Sequence, residues 1–295
     1  MKDFVIFGDS TCDLPKDLRE QYHLDYIPMC YIIDDVTYTA SLEWENHSVK
    51  EFYDIIRGGK RIFTTQIPKE LCAEKFAEAI EAGKDVLYIS CSSALSKSID
   101  VACVVAQELK QKYPDAGIYC VDSLNSSMAQ GAMMITASQM RADGKSADET
   151  AKQIEQTRLC YNMVGYCNTL AYLARAGRVK ASKAFFGNLF GVKPIIISDR
   201  KGQNYGAKKA KGVLAARNAV ADMLVDMADG KYDTLYIAHT DSLVEAEALR
   251  DEILNRASFK NVIFGNIGPI VGASVGPGMV ASFCYGKEVM IEGNE

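Results

Sequence analysis

The chain has 295 residues, of which 48% are hydrophobic and 24% are charged, and its formal net charge is −5. This composition is close to that of average soluble globular proteins, so it excludes a disordered chain, a collagen and a coiled coil. The acidic balance argues against binding of duplex nucleic acid, because such binding needs a basic surface that neutralises phosphates. At roughly 150 residues per domain, the length predicts two domains, with one large domain as the alternative.

Nine cysteines are spread along the chain, and no two of them form a C-x-x-C motif. An odd number of cysteines, most of them in apolar runs, predicts free buried thiols in a reducing compartment instead of a disulfide framework or a zinc site. The first residues carry an acid where a secretory signal peptide needs positive charge. The longest uncharged stretch, 261–286, is too rich in glycine and proline for a membrane helix. We therefore expect a soluble, cytoplasmic protein without a transmembrane segment.

In the first half, short apolar runs alternate with amphipathic segments. Helix starts are indicated by Asp13 before Pro15 and by the capping box that begins at Ser48 and is followed at the helix end by Gly58. Two further helices are predicted over 68–83 and 98–113. Strands are predicted over 4–8, 26–33, 85–90 and 117–122. Strands separated by helices of this length favour βαβ units and a parallel sheet.

A helix is predicted over 126–142, and a second capping box at Ser146 begins another helix. A second α/β block follows from about residue 159. Its strands are predicted over 162–167, 193–198, 234–238 and 262–266, with a possible last strand over 288–292. The polar turn 199–202 predicts a hairpin. We interpret the lysines after it, Lys208, Lys209 and Lys211, as the solvated start of a helix, with an anion-binding site as the alternative. The predicted domains are 1–155 and 156–295.

Several kinds of chemistry find no support in the sequence. It contains no phosphate-binding P-loop and no dinucleotide-binding glycine motif, and its three histidines lack metal-ligand spacing. Residues 272–276 fit the G-x-S-x-G pattern of α/β-hydrolases, with Ser274 as the nucleophile, but no histidine follows it. His239, after a predicted strand, is more simply a structural histidine than a ligand-binding one. A serine esterase or acyltransferase using Ser274 or Ser93 stays the alternative to a binding protein.

Hydroxyl-rich turns stand out instead, at 10–11, 64–65, 92–96 and 123–126. Each lies before a predicted helix, where backbone N–H groups favour an anion. One such turn is an ordinary helix cap. Several of them at one sheet edge predict a site for a small anionic head group such as a carboxylate. The apolar segments 184–197 and 267–280 are interpreted as walls of a ligand cavity or, alternatively, as plain core.

These segments resemble the DegV family of bacterial fatty-acid-binding proteins. The resemblance rests on residues 9–15, 64–66, 92–96, 121–123, 172–178, 193–195 and 268–278, in the family's order. It implies an α/β fold of two domains, an N-terminal α/β/α parallel-sheet domain and a C-terminal α/β domain with a mixed sheet. It further implies a long-chain fatty acid bound between the two domains, with no other cofactor and no metal. The protein, without catalytic turnover of its own, would present the acid to an ATP-binding fatty acid kinase subunit for acyl-phosphate formation and phospholipid synthesis.

Carried over residue by residue, the resemblance assigns the carboxylate contacts to Thr64, Thr65, Ser93 and Ser274. It assigns the acyl tail to Phe185, Phe186, Leu189, Ile195 and Ile270. It assigns kinase docking or phosphoryl transfer to Arg175 and Arg178. The sequence departs from the family pattern at three positions: Ser274 replaces a histidine found near the head group in many members, and Lys97 and Ala176 replace glycines.

Overall fold

The structure, a computed structural model, describes residues 2–180 and 191–293. The elements of the first half are β1 (Phe4–Asp9), α1 (Lys16–Gln21), β2 (Leu24–Ile27), β3 (Cys30–Ile33), β4 (Val36–Thr39), α2 (Val49–Arg57), β5 (Phe63–Thr64), α3 (Lys69–Glu81), β6 (Asp85–Ser90), α4 (Ser98–Lys112), β7 (Ile118–Asp122), α5 (Met128–Ala142) and α6 (Ala147–Thr157). Four strands form a parallel sheet in the order β2-β1-β6-β7. Strands β3, β4 and β5 form a small antiparallel sheet beside it.

Local chemistry explains most of these element boundaries. The capping boxes at Ser48 and Ser146 are confirmed, since each hydroxyl accepts a hydrogen bond from the backbone of the glutamate three residues later. The single strand predicted over 26–33 is wrong. It divides into β2 and β3 at Pro28, which cannot donate a ladder hydrogen bond.

The prediction that Asp13 caps α1 is also wrong. The residue before that helix is Pro15, and no side chain caps it. Asp13 has a φ of +52° and is 3% exposed, so its carboxylate points into the protein instead of toward the helix. Its carboxylate instead accepts a hydrogen bond from the backbone of Gly268, 255 residues later in the chain.

The second half begins with a short 3₁₀ turn (Arg158–Cys160). It continues with β8 (Tyr161–Tyr166), α7 (Ala171–Ala176), β9 (Val179–Lys180), β10 (Val192–Ser198), β11 (Asn204–Lys211), α8 (Val213–Ala228), β12 (Thr234–His239), α9 (Leu243–Leu254), β13 (Asn261–Asn266), α10 (Pro269–Val275) and β14 (Val280–Tyr285). The strands form a mixed sheet in the order β13-β12-β14-β8-β10-β11-β9. Among the described residues, no helix combines the length and apolarity that a membrane span requires.

Three sequence expectations are tested by this sheet. The hairpin at 199–202 is confirmed, because β10 and β11 pair antiparallel across that turn. The helix start at Lys208 and its neighbours is wrong, since all three lysines lie in β11 and α8 begins only at Val213. The last strand is β14 instead of 288–292; the β-branched and aromatic residues after Gly278 supply its propensity.

Helix α5 joins the two halves. It packs on β1 of the parallel sheet and on β8 of the mixed sheet, and its residues are buried on nearly all sides. Helix α10, although late in the chain, lies against α2, β3 and β5 of the first half. The chain passes from one sheet to the other between Asp122 and Tyr161. The boundary between residues 155 and 156 falls near the end of α6 and stays a prediction.

Candidate functional site

A cavity of about 420 Å³ lies between the two halves, at the edge where the strands of the parallel sheet end. The turns after β1, β6 and β7 contribute Thr11, Ser96 and Ser126. Because carboxyl ends of parallel strands meet at one edge, turns that are far apart in sequence become neighbours. The remaining uncharged polar lining consists of Thr64, Thr65, Gln66, Asn204 and Ser274.

The residues predicted to receive a carboxylate are thus only partly brought together. Thr64, Thr65 and Ser274 line the cavity, whereas Ser93 does not. The Ser93 backbone N–H donates to Asp122 Oδ1 at 3.1 Å, which connects this turn to the end of β7. Its hydroxyl has no hydrogen-bond partner among residues 2–180 and 191–293.

The charge of the cavity lining is one-sided. It contains two cations, Lys97 and Arg178, and, within the part of the chain that the structure describes, no aspartate, glutamate or histidine. Lys97 Nζ lies 3.4 Å from Asp100 Oδ2, but both side chains are more than 60% exposed, so this ion pair contributes little. Arg178 Nε donates to the Leu95 carbonyl at 3.1 Å. The opening therefore favours an anionic ligand.

A narrow apolar recess of about 30 Å³ shares four lining residues with this cavity: Ser126, Asn204, Val271 and Val275. It lies between α10 and the mixed sheet, and its further walls include Met163, Ile196, Met279, Ala281 and Phe283. The space thus changes from polar and cationic at the turns to apolar between the two halves of the chain.

Two of the five predicted acyl-tail residues can be placed. Ile270 lines the cavity. Ile195 lies on the opposite face of β10, in the core formed with α8 and α9, and does not face the ligand space. Alternation along the strand gives that position to Ile196. Phe185, Phe186 and Leu189 lie outside the described residues.

Two side chains of the first half hold the start of α10. Asp13 Oδ1 accepts a hydrogen bond from the Gly268 N–H at 2.9 Å, and Asp13 Oδ2 accepts one from the Ser127 hydroxyl at 2.6 Å. The Tyr53 hydroxyl donates to the Ile267 carbonyl at 2.6 Å. A Cβ at Gly268 would lie 2.7 Å from Asp13 Oδ1, so this close approach requires glycine.

Asp13 is a buried carboxyl group, and no cation of the described part of the chain forms an ion pair with it. Burial raises its pKa to about 7, and the nearby charge of Asp9 acts in the same direction. Sequence reasoning missed this role because Asp13 next to Leu14-Pro15 has the local pattern of a helix cap. Only the juxtaposition with Gly268, 255 residues later, reveals it.

The two predicted arginines face different surroundings. Arg175 lies in a helix, α7, which the sequence did not predict; the helix ends at Gly177, which has a φ of +69°, and Arg178 follows it. Arg178 lines the cavity, while Arg175 is exposed and does not line it; its guanidinium lies 5.3 Å from the centre of the Tyr172 ring. His239 lies at the end of β12, outside the cavity, where its ring accepts a hydrogen bond from the Ser242 N–H at 3.2 Å.

A sequence model of the DegV family matches residues 3–287. Its description reads uncharacterised protein, DegV family. The chain belongs to the DegV family. A DegV domain-containing protein of Clostridium perfringens is 32% identical over 289 residues, which cover 97% of this chain and 98% of that protein. A DegV domain-containing protein of Streptococcus pyogenes is 29% identical over 285 residues, which cover 96% of this chain and 98% of that protein. The family resemblance drawn from the sequence is confirmed.

Solved DegV structures share this fold. A DegV family protein from Thermus thermophilus, described by its fatty acid binding, matches with a TM-score of 0.88 at 26% identity, over 97% of this chain and 100% of that one. The Bacillus subtilis DegV, described as a fatty acid binding protein, matches with a TM-score of 0.81 over 97% and 100% of the two chains. At 24% identity, the second likeness shows the fold alone. The predicted two-domain α/β fold, with one parallel and one mixed sheet, is confirmed.

This DegV family member has a second, larger cavity, of about 570 Å³, which the sequence did not predict. It lies at the opposite end of the interface between the halves, where β8, β12 and β13 begin. Its lining includes four tyrosines and four primary amides: Tyr22, Tyr161, Tyr236, Tyr285, Gln21, Gln139, Gln153 and Asn261. Its two charged residues have partners already. Lys231 donates to the Gly286 carbonyl, and Asp233 pairs with Lys260.

Proposed function

We propose that this protein binds a long-chain fatty acid in the 420 Å³ cavity, with the carboxylate among the hydroxyls and the tail along the apolar side of the cavity, so that its end reaches the apolar recess. The observation that carries the proposal is the gradient along this space. Within residues 2–180 and 191–293, its lining has the cations Lys97 and Arg178 and no acidic side chain, and its inner end is mainly apolar. An amphiphilic anion matches both ends, whereas a small polar acid would leave the recess unused.

Order-of-magnitude energetics favour a long tail. Burial of one methylene group contributes about 0.8 kcal/mol, so about fourteen of them give roughly 11 kcal/mol. Association costs on the order of 4–15 kcal/mol oppose this gain. A hydrogen bond from a hydroxyl to a carboxylate adds about 1.5–3 kcal/mol. The tail therefore supplies the affinity, and the hydroxyls of Thr64, Thr65 and Ser274 supply the orientation.

From the lining of the recess, we assign the residues that contact the tail more specifically than the family resemblance does. Ile196 takes the role expected of Ile195, since it faces the recess from β10. Ile270 and Val271 follow each other on α10 and line the wider space. Met163, on β8, and Phe283, on β14, close the inner end.

The same arrangement supports presentation of the carboxylate to a separate ATP-dependent fatty acid kinase subunit. Thr65, Lys97 and Arg178 are all exposed at the opening, so the head group lies near solvent while the tail is enclosed. A carboxylate oxygen in that position is accessible to the γ-phosphate of an ATP held by another protein. Attack there would give an acyl phosphate and ADP. Exposed Arg175, outside the cavity, is the side chain we assign to docking.

We infer that the protein is a carrier without turnover of its own. The alternative, a serine esterase or acyltransferase, needs a base beside Ser274 or Ser93. Of the described residues that line the cavity, none is a histidine, an aspartate or a glutamate. Without such a base, a serine hydroxyl is a weak nucleophile at neutral pH.

Native mass spectrometry of gently purified protein tests the binding proposal. We expect a co-purified mass of one long-chain fatty acid, and the adduct should disappear when the recess is filled by Val271→Trp. A ligand-free protein that also fails to bind added palmitate would contradict the proposal. Steady hydrolysis of a p-nitrophenyl acyl ester that is abolished by Ser274→Ala would favour the esterase instead.

Presentation to a kinase is tested separately, by acyl-phosphate formation with ATP and a cognate kinase subunit. Arg175→Ala should leave the fatty acid affinity unchanged and lower the transfer rate. Arg178→Ala should lower both, because Arg178 lines the cavity. Equal transfer by the parent and Arg175→Ala would remove Arg175 from the docking surface.

A further inference from the structure

The second cavity, of about 570 Å³, is separate from the proposed fatty acid site. Its volume lies within the range of about 300–1,000 Å³ that is usual for small-molecule sites. The described linings of the two cavities have no residue in common. The second cavity can therefore hold a ligand of its own, whose chemistry its lining determines.

Aromatic rings form the inner wall of this cavity. Tyr161 is 3% exposed, its hydroxyl donates to the Thr136 hydroxyl at 2.9 Å, and its ring packs edge-to-face with Tyr285 at 5.1 Å between the ring centres. Tyr22 and Tyr285 are less buried and leave part of their rings open to the cavity. Packing holds Tyr161 and Tyr285 in place before a ligand binds, so stacking of a flat ligand needs little further ordering.

Two hydroxyls of β12 face the same space. Thr234 and Tyr236 are two residues apart on the strand, so their side chains lie on one face of the sheet, and both line the cavity. Tyr236 is 7% exposed, and a buried tyrosine hydroxyl usually has a hydrogen-bond partner. Because a hydroxyl can donate and accept, a ligand with hydrogen-bonding groups at its inner edge matches this wall better than a purely apolar ligand does.

Four primary amides converge on the cavity from four different elements. Gln21 lies on α1, Gln139 on α5, Gln153 on α6, and Asn261 at the start of β13. All four residues are exposed, and none of these side chains hydrogen-bonds to any of residues 2–180 and 191–293. A primary amide presents a donor and an acceptor side by side. The set therefore matches a ligand whose edge also carries adjacent donors and acceptors.

The charges around the cavity favour an uncharged ligand. Its described lining has one cation, Lys231, and one anion, Asp233, so their charges balance. Helices α1 and α6 both end at the cavity, and the C-terminus of a helix carries a partial negative charge. A carboxylate or a phosphate would meet no excess of positive charge in this lining, in contrast to the first cavity.

We propose that the second cavity binds an uncharged nucleoside, recognised through its base. A nucleobase is flat and stacks on aromatic side chains, and its edge carries the adjacent donors and acceptors that a primary amide matches. A monosaccharide has hydrogen-bonding groups but no aromatic face. A second fatty acid has neither a ring nor an edge of paired donors and acceptors. The nucleoside combines both properties of this lining.

Isothermal titration calorimetry on the full-length folded protein tests the proposal. Adenosine, inosine, cytidine and uridine are titrated separately, and the 5′-monophosphates and glucose are titrated for comparison. We expect at least one nucleoside to bind with one-to-one stoichiometry and a dissociation constant of about 1 mM or lower, and its monophosphate to bind more weakly. No binding of the four nucleosides at that limit, tighter binding of the monophosphate, or binding of glucose alone would overturn the proposal.

A matched pair of variants tests which cavity is occupied. Val262 and Val271 are both half-buried, and they line the second and the first cavity respectively. Nucleoside affinity should fall at least about tenfold in Val262→Trp, because the indole fills the space of the ligand, and should be unchanged in Val271→Trp. A loss in neither variant, or in both, with parental circular dichroism would show that the nucleoside does not bind in the second cavity.

Single amide variants test how the base is recognised. Gln139→Ala and Gln153→Ala each remove one amide from an exposed helix position, so at least one of them should weaken nucleoside binding about threefold to tenfold. Gln107→Ala is the control, because Gln107 is equally exposed on α4 and lies outside the described lining of both cavities. Parental affinity in both Gln139→Ala and Gln153→Ala, or an equal loss in Gln107→Ala, would contradict recognition by these amides.

Discussion

The two cavities between the halves of the molecule differ in a way that volume does not capture. The second is larger, at about 570 Å³ against about 420 Å³ for the first. The charged residues in its described lining, however, are one cation and one anion, Lys231 and Asp233, so their charges balance. The first cavity has two cations with no acid in its described lining, and it narrows into an apolar recess. The proposed lipid site depends on this combination of unbalanced charge and adjacent apolar space, which the second cavity lacks.

The two cavities differ in their lining because they lie at different ends of the strands. The first cavity lies at the carboxyl ends of the parallel strands, where turns with hydroxyls and helix starts converge. The second lies where β12 and β13 begin, and side chains of strands and helices, mainly tyrosines and amides, fill its walls. The comparison predicts that changes in the first cavity affect fatty acid binding and that matched changes in the second do not.

The largest effect is expected from blocking the recess. Val271 is half-buried and lines both the first cavity and the recess, so Val271→Trp should displace several methylene groups of the tail. Losing about five of them costs about 4 kcal/mol, or roughly a thousandfold in affinity. Titration with palmitate by calorimetry measures this loss.

Val262→Trp is the matched control, because Val262 is equally half-buried but lines the second cavity. Its palmitate affinity should equal that of the parent. A loss in Val262→Trp with none in Val271→Trp, in variants with parental circular dichroism, would reverse the assignment of the two cavities.

The second prediction concerns pH and the wall of the first cavity. Asp13, which holds α10, has a pKa raised to about 7, whereas Asp233 of the second cavity is 71% exposed. The folded protein keeps the Asp13 proton up to about pH 7, but the unfolded chain releases it near pH 4. Between these values the free energy of unfolding should therefore fall as pH rises, by up to about 1.4 kcal/mol per pH unit.

Asp13→Asn keeps the shape and removes the titration, so its urea unfolding should lack this contribution to the slope between pH 5 and 7. Asp54→Asn is the control, since ion pairs with Lys50 and Arg57 lower the pKa of that exposed carboxylate. Identical slopes for the parent and Asp13→Asn would mean that Asp13 titrates at an ordinary pH.

The sequence predicts the fold and the hydroxyls of the first cavity because both depend on local patterns. Alternating strands and helices determine a parallel sheet, and its geometry brings Thr11, Ser96 and Ser126 to one edge. The face of the sheet on which a strand residue lies is harder to predict, because a shift of one residue decides whether Ile195 or Ile196 faces the recess. The Asp13–Gly268 contact and the second cavity join segments that no local pattern relates.

The third prediction concerns the hydroxyls at the polar end. Thr64→Val keeps the side-chain shape and removes one donor, so palmitate affinity should fall about tenfold. Combined with Ser93→Ala, the loss should reach about a hundredfold if Ser93 also contacts the carboxylate. Thr37→Val, on β4 of the same small sheet and outside the cavity lining, should bind as the parent does. Equal affinities for Thr64→Val and the double variant would remove Ser93 from the site.

The smallest effect is expected at Lys97, one of the two cations in the described lining of the first cavity. Its ammonium group is exposed and pairs only weakly with Asp100, so it contributes a long-range attraction of roughly 0.2–1 kcal/mol to a carboxylate at the opening. Lys97→Ala should lower palmitate affinity by about two- to fivefold at low salt, and the difference should shrink at 0.5 M salt because ions screen exposed charges. Lys69→Ala removes an equal charge, paired with Glu108 and outside the cavity, and should leave the affinity unchanged. Equal losses in the two variants would mean that only the net charge of the protein matters, and the one-sided charge of the first cavity would no longer distinguish it from the second.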